Sequence, residues 1–232
     1  MKVFDDITDE GYSEASKEDY DRLLRHLFSG IKLTPNMSVL DVGCGTGGNS
    51  MRLNKLNFKV KGVDISPKAI KLAQKKAKQS GLDGIEYSIC DIENLCYDNN
   101  TFDICFCGAV LHHFPDLRRV AEELYRVTKT KGTVMTYDPN ALHPYVFLVH
   151  NILNRAITLK GFSPNERALG PKELYSSFKN TGFGNFKFDS IVIYSKKARW
   201  RRIRDISYKT INRTFTGLRA GNMITMTCEK RR

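Results

Sequence analysis

The sequence predicts a doubly wound α/β fold, in which helices cover both faces of a mainly parallel sheet. Short apolar segments alternate with segments of helical periodicity over much of the chain, a pattern that favours parallel strands joined by crossover helices. A glycine-rich turn at 43–48 follows the first apolar segment, where such folds bind their ligands. The length of 232 residues and the hydrophobic fraction of 41% fit a single domain with a full core.

The first predicted elements follow from periodicity. Residues 13–28 place apolar side chains at helical spacing and predict an amphipathic helix. The apolar segments 38–42 and 59–64 have the length of buried strands, and a helix ending at Leu56 connects them. A proline one residue after Ser66 is typical of a first helical turn, so a helix begins there.

The remaining elements extend this alternation and then depart from it. An apolar-rich segment, 141–159, interrupts the pattern after the fifth strand. Alternating apolar residues then predict two further strands. In chain order we expect a helix at 67–79, strands at 85–89 and 102–107, a helix at 116–128, a strand at 133–137, a helix at 171–180 and strands at 186–194 and 223–228.

The charge is concentrated near the C-terminal end. The chain has a formal net charge of +12, and the segment from Lys196 onward accounts for +10 of it. Such a basic segment has three readings: a solvated helix face, contact with an anionic membrane or lipid phosphate, and nucleic-acid binding. A recognisable RNA-binding appendage is absent from the sequence, so nucleic acid is the least favoured partner.

The six cysteines predict buried, reduced thiols. None of them forms a C-x-x-C pair, so we expect no metal site. The N-terminal residues are acidic and lack the apolar segment of a signal peptide, and no apolar run approaches the ~20 residues that span a bilayer. We therefore expect a cytoplasmic protein, with peripheral contact to an anionic membrane through the basic segment.

The glycine-rich turn admits two ligands. Gly43, Gly45 and Gly48 satisfy the dinucleotide pattern G-x-G-x-x-G, and Asp64 stands 21 positions after the first of them, where an acid suits ribose hydroxyls. Asp41 separates the alternatives, because a carboxylate at the mouth of the turn would repel a pyrophosphate. S-adenosylmethionine carries a sulfonium and an ammonium instead, and an acid favours both.

Five ordered segments extend this motif. They are Asp41-x-Gly43-x-Gly45-x-Gly47, Asp64, Cys90-Asp91-Ile92, 101–107 leading into Leu111-His112-His113-Phe114, and 129–134. In order and spacing they resemble the class I S-adenosylmethionine-dependent methyltransferases of the small, UbiE-like type. One departure is 129–132, which reads Lys-Thr-Lys-Gly where the family usually has Lys-Pro-Gly-Gly; we expect a turn there, away from the cofactor.

The resemblance implies a Rossmann-like seven-stranded sheet with an antiparallel edge hairpin and a helical lid. It also implies S-adenosyl-L-methionine as the cofactor: the glycine turn holds the methionine part, Asp64 the ribose, and Asp91 with Ile92 the adenine. The full set of expected cofactor-binding residues is Asp41, Gly43, Gly45, Gly47, Asp64, Ile65, Asp91, Ile92 and Cys107.

His112 and His113 are the candidate catalytic residues. Methyl transfer from a sulfonium is an in-line displacement, so the protein mainly aligns the reacting atoms. A hydroxyl acceptor also needs a base, and an imidazole with a pKa near ~6.5 can take a proton at neutral pH. The alternative is structural, with one histidine at a helix start and the other packed against Phe114.

These observations predict methyl transfer to a small-molecule or lipid-linked acceptor, at oxygen or carbon. The alternatives are an RNA or protein methyltransferase that uses the basic segment, and a non-catalytic nucleotide-binding domain. We expect one domain with four parts: an N-terminal helix at 1–36, a cofactor-binding core at 37–138, a substrate lid at 139–170, and a C-terminal part with the basic segment at 171–232.

Overall fold

The computed structural model describes residues 17–154, 165–193 and 221–231. The start of the predicted first helix, at 13–16, and most of the basic segment, at 196–220, lie outside the described residues.

Six α-helices and seven strands are present in the described ranges. The helices are α1 Lys17–Leu27, α2 Gly48–Asn54, α3 Pro67–Gln79, α4 Arg118–Val127, α5 Pro144–Phe147 and α6 Pro171–Asn180. The strands are β1 Ser38–Val42, β2 Lys59–Asp64, β3 Ile85–Ile89, β4 Phe102–Gly108, β5 Thr128–Pro139, β6 Phe183–Ile191 and β7 Met223–Lys230. A 3₁₀ turn spans Leu111–His113, and a π-helical stretch, Leu148–Leu153, continues α5.

The seven strands form one sheet in the order β3-β2-β1-β4-β5-β7-β6. The first five are parallel, and β7 runs antiparallel between β5 and β6. The predicted Rossmann-like fold with an antiparallel edge hairpin is therefore confirmed. The strand order reverses between β1 and β4, and such a switch point opens a crevice at the carboxyl ends of the strands.

Each face of the sheet carries an apolar core. One cluster joins β4 and β5 to α4 and α6, and the other joins the sheet to α1. α4 shows how the sequence produces this packing: Val120, Ala121, Leu124 and Val127 are all buried, and their spacing places them on one helical stripe. The polar residues of the same helix face away from the core.

β5 and β6 differ from the prediction because each ladder contains an irregularity. β5 begins at Thr128, five residues early, and pairs with β4 through a register shift between Phe102 and Ile104. The turn predicted at 129–132 is thus an interruption inside β5, where Lys131 has a φ of 65°. β6 begins three residues early, at Phe183, and a second shift resets its alternation before Lys187.

Two charged residues stabilise the sheet at positions distant from the crevice. Asp103 accepts hydrogen bonds from Ser38 and from Lys129 Nζ, at 2.8 Å for the latter. Lys230, which belongs to the basic segment by sequence, is buried, and its ammonium donates to Asn100, Tyr125 and Thr128. This lysine is therefore a structural charge and adds little to a surface field.

Six free cysteines occur, five of them buried, as expected for reduced thiols. Within the described ranges, none of the helices combines the length and the apolar character needed to cross a bilayer.

Candidate functional site

A cavity of about 210 Å³ opens at the carboxyl ends of β1, β2 and β4, where the strand order reverses. Most of its exposed lining is apolar, and two aspartates, a glutamate and a histidine interrupt it. Its lining residues are Gly43, Asp64, Ile65, Asp91, Ile92, Glu93, Ala109, Val110, His113 and Phe114. Six of them were predicted as site residues.

The backbone of the glycine turn is closely packed, and its first residue, Gly43, lines the cavity. Gly43 has a φ of 67°, and a Cβ added there would lie 2.3 Å from Val110 Cγ2. Gly47 has a φ of 81°, and its Cβ would lie 2.4 Å from Tyr87 Oη. Both positions therefore require glycine, on grounds of conformation and of space.

Asp64 ties the turn to the next helix. Its Oδ2 accepts a hydrogen bond from the N–H of Gly45, and its Oδ1 accepts one from the N–H of Ser66, both at 2.9 Å. Ser66 in turn caps α3 by accepting from the N–H of Ala69. A carboxylate can accept about four hydrogen bonds, and Asp64 also lines the cavity, where ribose hydroxyls can reach it.

Asp41 lies behind the glycine turn and is fully buried. Ser50 Oγ donates to its Oδ2 at 2.5 Å, whereas its Oδ1 has no hydrogen-bond partner within the described structure. Burial raises its pKa to about 7, and the charge of Asp64 adds to the rise while the Ser50 hydrogen bond opposes it. A buried carboxylate oxygen with unused capacity fits a cationic donor such as the ammonium of S-adenosylmethionine.

The structure separates the expected cofactor residues into two groups. Ile65, Asp91 and Ile92 line the cavity, where the two isoleucines supply apolar walls. Asp41, Gly45, Gly47 and Cys107 do not line it. Cys107 lies wholly within the apolar core, and burial raises the pKa of its thiol.

His112 is held by Asp138 near the end of β5. Asp138 Oδ1 lies 3.2 Å from the backbone N–H of His112 and 2.9 Å from its Nδ1. Since this oxygen accepts the backbone N–H, we assign Nδ1 as a second donor to it, which leaves the lone pair on Nε2. Burial lowers the pKa of His112 to about 3, and Arg167 contributes to the decrease.

Glu166 brings three histidines together. Its Oε1 lies 3.8 Å from His112 Nε2 and 3.7 Å from His150 Nδ1, and its Oε2 lies 4.0 Å from His113 Nδ1. Burial lowers the pKa of His113 to about 3 and that of His150 to about 4, and neighbouring histidines add to both decreases. All three imidazoles are therefore neutral at pH 7.

Backbone and amide hydrogen bonds hold Glu166 against the 3₁₀ turn Leu111–His113. The N–H of Arg167 donates to the carbonyl of His112 at 3.2 Å. Asn154, at the end of the π-helical stretch, donates to the carbonyl of Glu166 at 3.1 Å. Sequence reasoning missed the role of Glu166, because no spacing pattern connects it to a turn more than fifty residues earlier.

Two other polar residues near the end of β5 take structural positions. Tyr137, within the strand, is hydrogen-bonded through Oη to Tyr20 and Asn49, and the side chain of Asn140, just after the strand, donates to the carbonyl of Gly221. Asp138, between them, is the residue that the structure pairs with His112.

Part of the expected lid carries exposed apolar side chains. α5 and the π-helical stretch follow the fifth strand at the crevice side of the sheet. Their large side chains are between 39% and 48% exposed at Tyr145, Phe147, Leu148, Ile152 and Leu153.

A family profile described as "Methyltransferase domain" matches residues 33–196. The chain is 30% identical over 171 residues to a demethylmenaquinone methyltransferase of Oceanobacillus iheyensis, covering 66% of this chain and 72% of that protein. It is 42% identical over 94 residues to a ubiquinone biosynthesis O-methyltransferase of Coxiella burnetii, covering 40% of each. It spans only 34% of the sterol 4-C-methyltransferase strm-1 of Caenorhabditis elegans, at 29% identity over 49% of this chain.

Solved structures share the fold at low identity. The YcgJ protein of Bacillus subtilis matches with a TM-score of 0.69 and 18% identity, over 94% of this chain and all of that one. A phosphoethanolamine N-methyltransferase of Haemonchus contortus in complex with S-adenosyl-L-methionine matches with a TM-score of 0.70 and 16% identity, over 95% of this chain and 54% of that one. The [4+2]-cyclase SpnF also matches, with a TM-score of 0.65 and 20% identity over 95% and 84%, so the fold alone does not specify the reaction.

Proposed function

Because the chain belongs to the family of S-adenosyl-L-methionine-dependent methyltransferases, we propose that it methylates an oxygen or a carbon of a small-molecule or lipid-linked acceptor. S-adenosyl-L-methionine is the cofactor, and it supplies a methyl group already activated on a sulfonium. The observation that carries the proposal is the single cavity that joins the glycine turn at Gly43 to His113.

In this proposal one end of the cavity binds the cofactor and the other end binds the methyl acceptor. Gly43 lines the end that would take the amino-acid part of the cofactor, and the buried carboxyl group of Asp41 behind the turn would favour the cofactor's ammonium electrostatically. Asp64 accepts the ribose hydroxyls in addition to its two backbone N–H groups. Asp91 and Ile92 flank the adenine, one with a carboxylate and one with apolar surface.

We assign the acceptor to the end of the cavity formed by His113 and Phe114. A neutral His113 can accept a hydrogen bond from the hydroxyl of the methyl acceptor, which orients that hydroxyl oxygen towards the methyl group. A pKa of about 3 makes it a weak proton acceptor by itself. The base role predicted for His112 and His113 stays a prediction, and orientation is the role that the geometry favours.

A lipid-linked acceptor is favoured by the lid. Five large apolar side chains between Tyr145 and Leu153 are partly exposed beside the crevice, a surface that suits an isoprenoid or acyl tail. Two of the relatives carry the names of quinone-pathway methyltransferases, demethylmenaquinone and ubiquinone biosynthesis. The basic segment would add attraction to an anionic membrane in which such an acceptor lies.

Calorimetry and a methylation assay test the proposal separately. We expect S-adenosyl-L-methionine and S-adenosyl-L-homocysteine to bind, and NADH not to bind. Methyl-labelled cofactor, incubated with lipid, RNA and protein fractions of a cell extract, should label the lipid or small-molecule fraction. Label in RNA or protein would overturn the acceptor class, and binding of NADH alone would overturn the function.

A further inference from the structure

We propose that His112, His113 and Glu166 bind a divalent transition-metal cation of the Zn²⁺ type, with His150 beside them at 3.7 Å from Glu166. The site would lie at the acceptor end of the cavity, since His113 also lines that cavity. Metal binding stands on the cluster alone, whereas its catalytic use rests on the function proposed above.

The ligand atoms lie near one another, slightly wider than the separations that a bound ion imposes. One nitrogen from each of His112 and His113 and one oxygen of Glu166 all lie within 4.8 Å of one another. Metal–ligand bonds of about 2.0–2.2 Å in tetrahedral geometry place neighbouring ligand atoms roughly 3.5 Å apart. The Glu166 oxygens lie 3.8 Å from His112 Nε2 and 4.0 Å from His113 Nδ1, so these side chains have to move closer together to bind an ion.

A buried carboxylate already orients one of the ligands. His112 directs Nδ1 to Asp138 Oδ1 at 2.9 Å, so its lone pair is on Nε2, which lies 3.8 Å from Glu166 Oε1. Metal-bound histidines almost always donate their other ring N–H to a carboxylate, a carbonyl or water, which fixes the tautomer and the ring plane. Asp138 is fully buried, and this arrangement gives its carboxylate that role.

The supporting backbone fixes the remaining ligands. Glu166 is bound on both sides, through Asn154 to its carbonyl and through the N–H of Arg167 to His112. His150 lies in the π-helical stretch, a geometry that is frequent at functional sites. The nearby guanidinium of Arg167 is paired with Glu173, which offsets part of the repulsion that its charge exerts on positive charge at His112.

A cation held by His112, His113 and Glu166 would also supply chemistry to the proposed transfer. When bound, it would polarise a hydroxyl of the methyl acceptor and make the hydroxyl proton easier to lose to solvent. In the transfer itself the electron pair of the hydroxyl oxygen would form the new O–CH₃ bond, while the C–S bond of the cofactor would break and its pair would return to sulfur. The side chain of Glu166 is 13% exposed and that of His113 is 22% exposed, so a hydroxyl can reach the ion.

The test measures metal binding directly. The full chain, freed of any affinity tag and of bound metal by a chelator, is titrated with Co²⁺ and followed by its visible absorption and by equilibrium dialysis. We expect one ion per chain. Glu166→Gln and His113→Asn should each weaken binding, the first by at least roughly 10-fold. His26→Gln is the matched control, because that histidine faces a carboxylate, Asp189, at 3.4 Å in another part of the molecule.

Two outcomes would overturn the proposal: no Co²⁺ or Zn²⁺ uptake by the metal-free chain, or uptake that Glu166→Gln and His113→Asn leave unchanged. Calorimetry with S-adenosyl-L-methionine on the same metal-free sample keeps this result apart from the proposed function. Cofactor binding without metal uptake would refute the metal site alone, whereas metal uptake without cofactor binding would refute the methyltransferase proposal.

Discussion

Replacing Asp41 by asparagine should remove a pH-dependent part of the stability. In the folded chain the Asp41 carboxyl keeps its proton up to a pKa of about 7, whereas in the unfolded chain it ionises near 3.8. Unfolding between these values therefore releases a proton, and rising pH favours the unfolded state. From about pH 5 to pH 8 this one group lowers the free energy of unfolding by about 2.5 kcal/mol, at 1.36 kcal/mol per pKa unit.

Urea titrations of both proteins across this range measure the effect. The buried histidines act in the opposite direction, because their lowered pKa values make the fold less stable as the pH falls below about 6.5. The histidine contribution is the same in both proteins, so it cancels when the free energy of unfolding of the original chain is subtracted from that of Asp41→Asn. That difference should shift by about 2.5 kcal/mol in favour of the variant between pH 5 and pH 8.

A second measurement connects Asp41 to the ligand. An ammonium beside Oδ1 would favour the ionised carboxylate, so binding of S-adenosyl-L-methionine should release a proton below pH 7. Affinity should then rise by up to about 10-fold per pH unit in the original chain and stay flat in Asp41→Asn. A stability difference that does not change with pH, or equal pH profiles of affinity, would refute the reasoning about this buried acid.

Three further predictions concern single residues of the cavity. Gly43→Ala should lower the free energy of unfolding by about 2–4 kcal/mol in urea, through a 2.3 Å clash and a positive φ; Gly81→Ala, where φ is positive but nothing lies within 4 Å, should cost only about 1–2 kcal/mol. Asp64→Ala should weaken S-adenosyl-L-methionine binding by about 1–3 kcal/mol in calorimetry, and unchanged affinity would contradict its role. The original chain should lose stability as the pH falls from 6.5 to 4, because the folded chain resists protonating His113. In chelator-treated protein, His113→Asn should reduce that loss by at most about 1.4 kcal/mol per pH unit. An unchanged acid profile would contradict the lowered pKa.

The sequence correctly predicted those helices and strands whose periodicity and capping signals lie within their own residues. β1, β2, β3, α3 and α6 have the bounds that periodicity and capping residues indicated. The glycine turn was equally predictable, since its conformation needs residues without a Cβ. β5 and β6 were misplaced, because a register shift depends on the partner strand and leaves no mark in the period of its own sequence.

The acceptor end of the cavity was only half predictable. His112 and His113 stand directly after a predicted strand, so their position at the crevice followed from the order of elements. Glu166 and Asp138 reach them through folding of distant segments, and burial decides the pKa values. The expectation of no metal site came from cysteine spacing, a test that does not examine histidines and glutamates far apart in sequence.

The position of β7 has a consequence for how the chain is made. Among the described strands β7 comes last in sequence, yet it lies between β5 and β6 and pairs with both. During synthesis β6 leaves the ribosome before Lys230 does, so β6 lacks this partner while the central parallel strands can already assemble. The nascent chain thus exposes an incomplete sheet edge until β7 emerges, and that interval is when chaperone binding would protect it most.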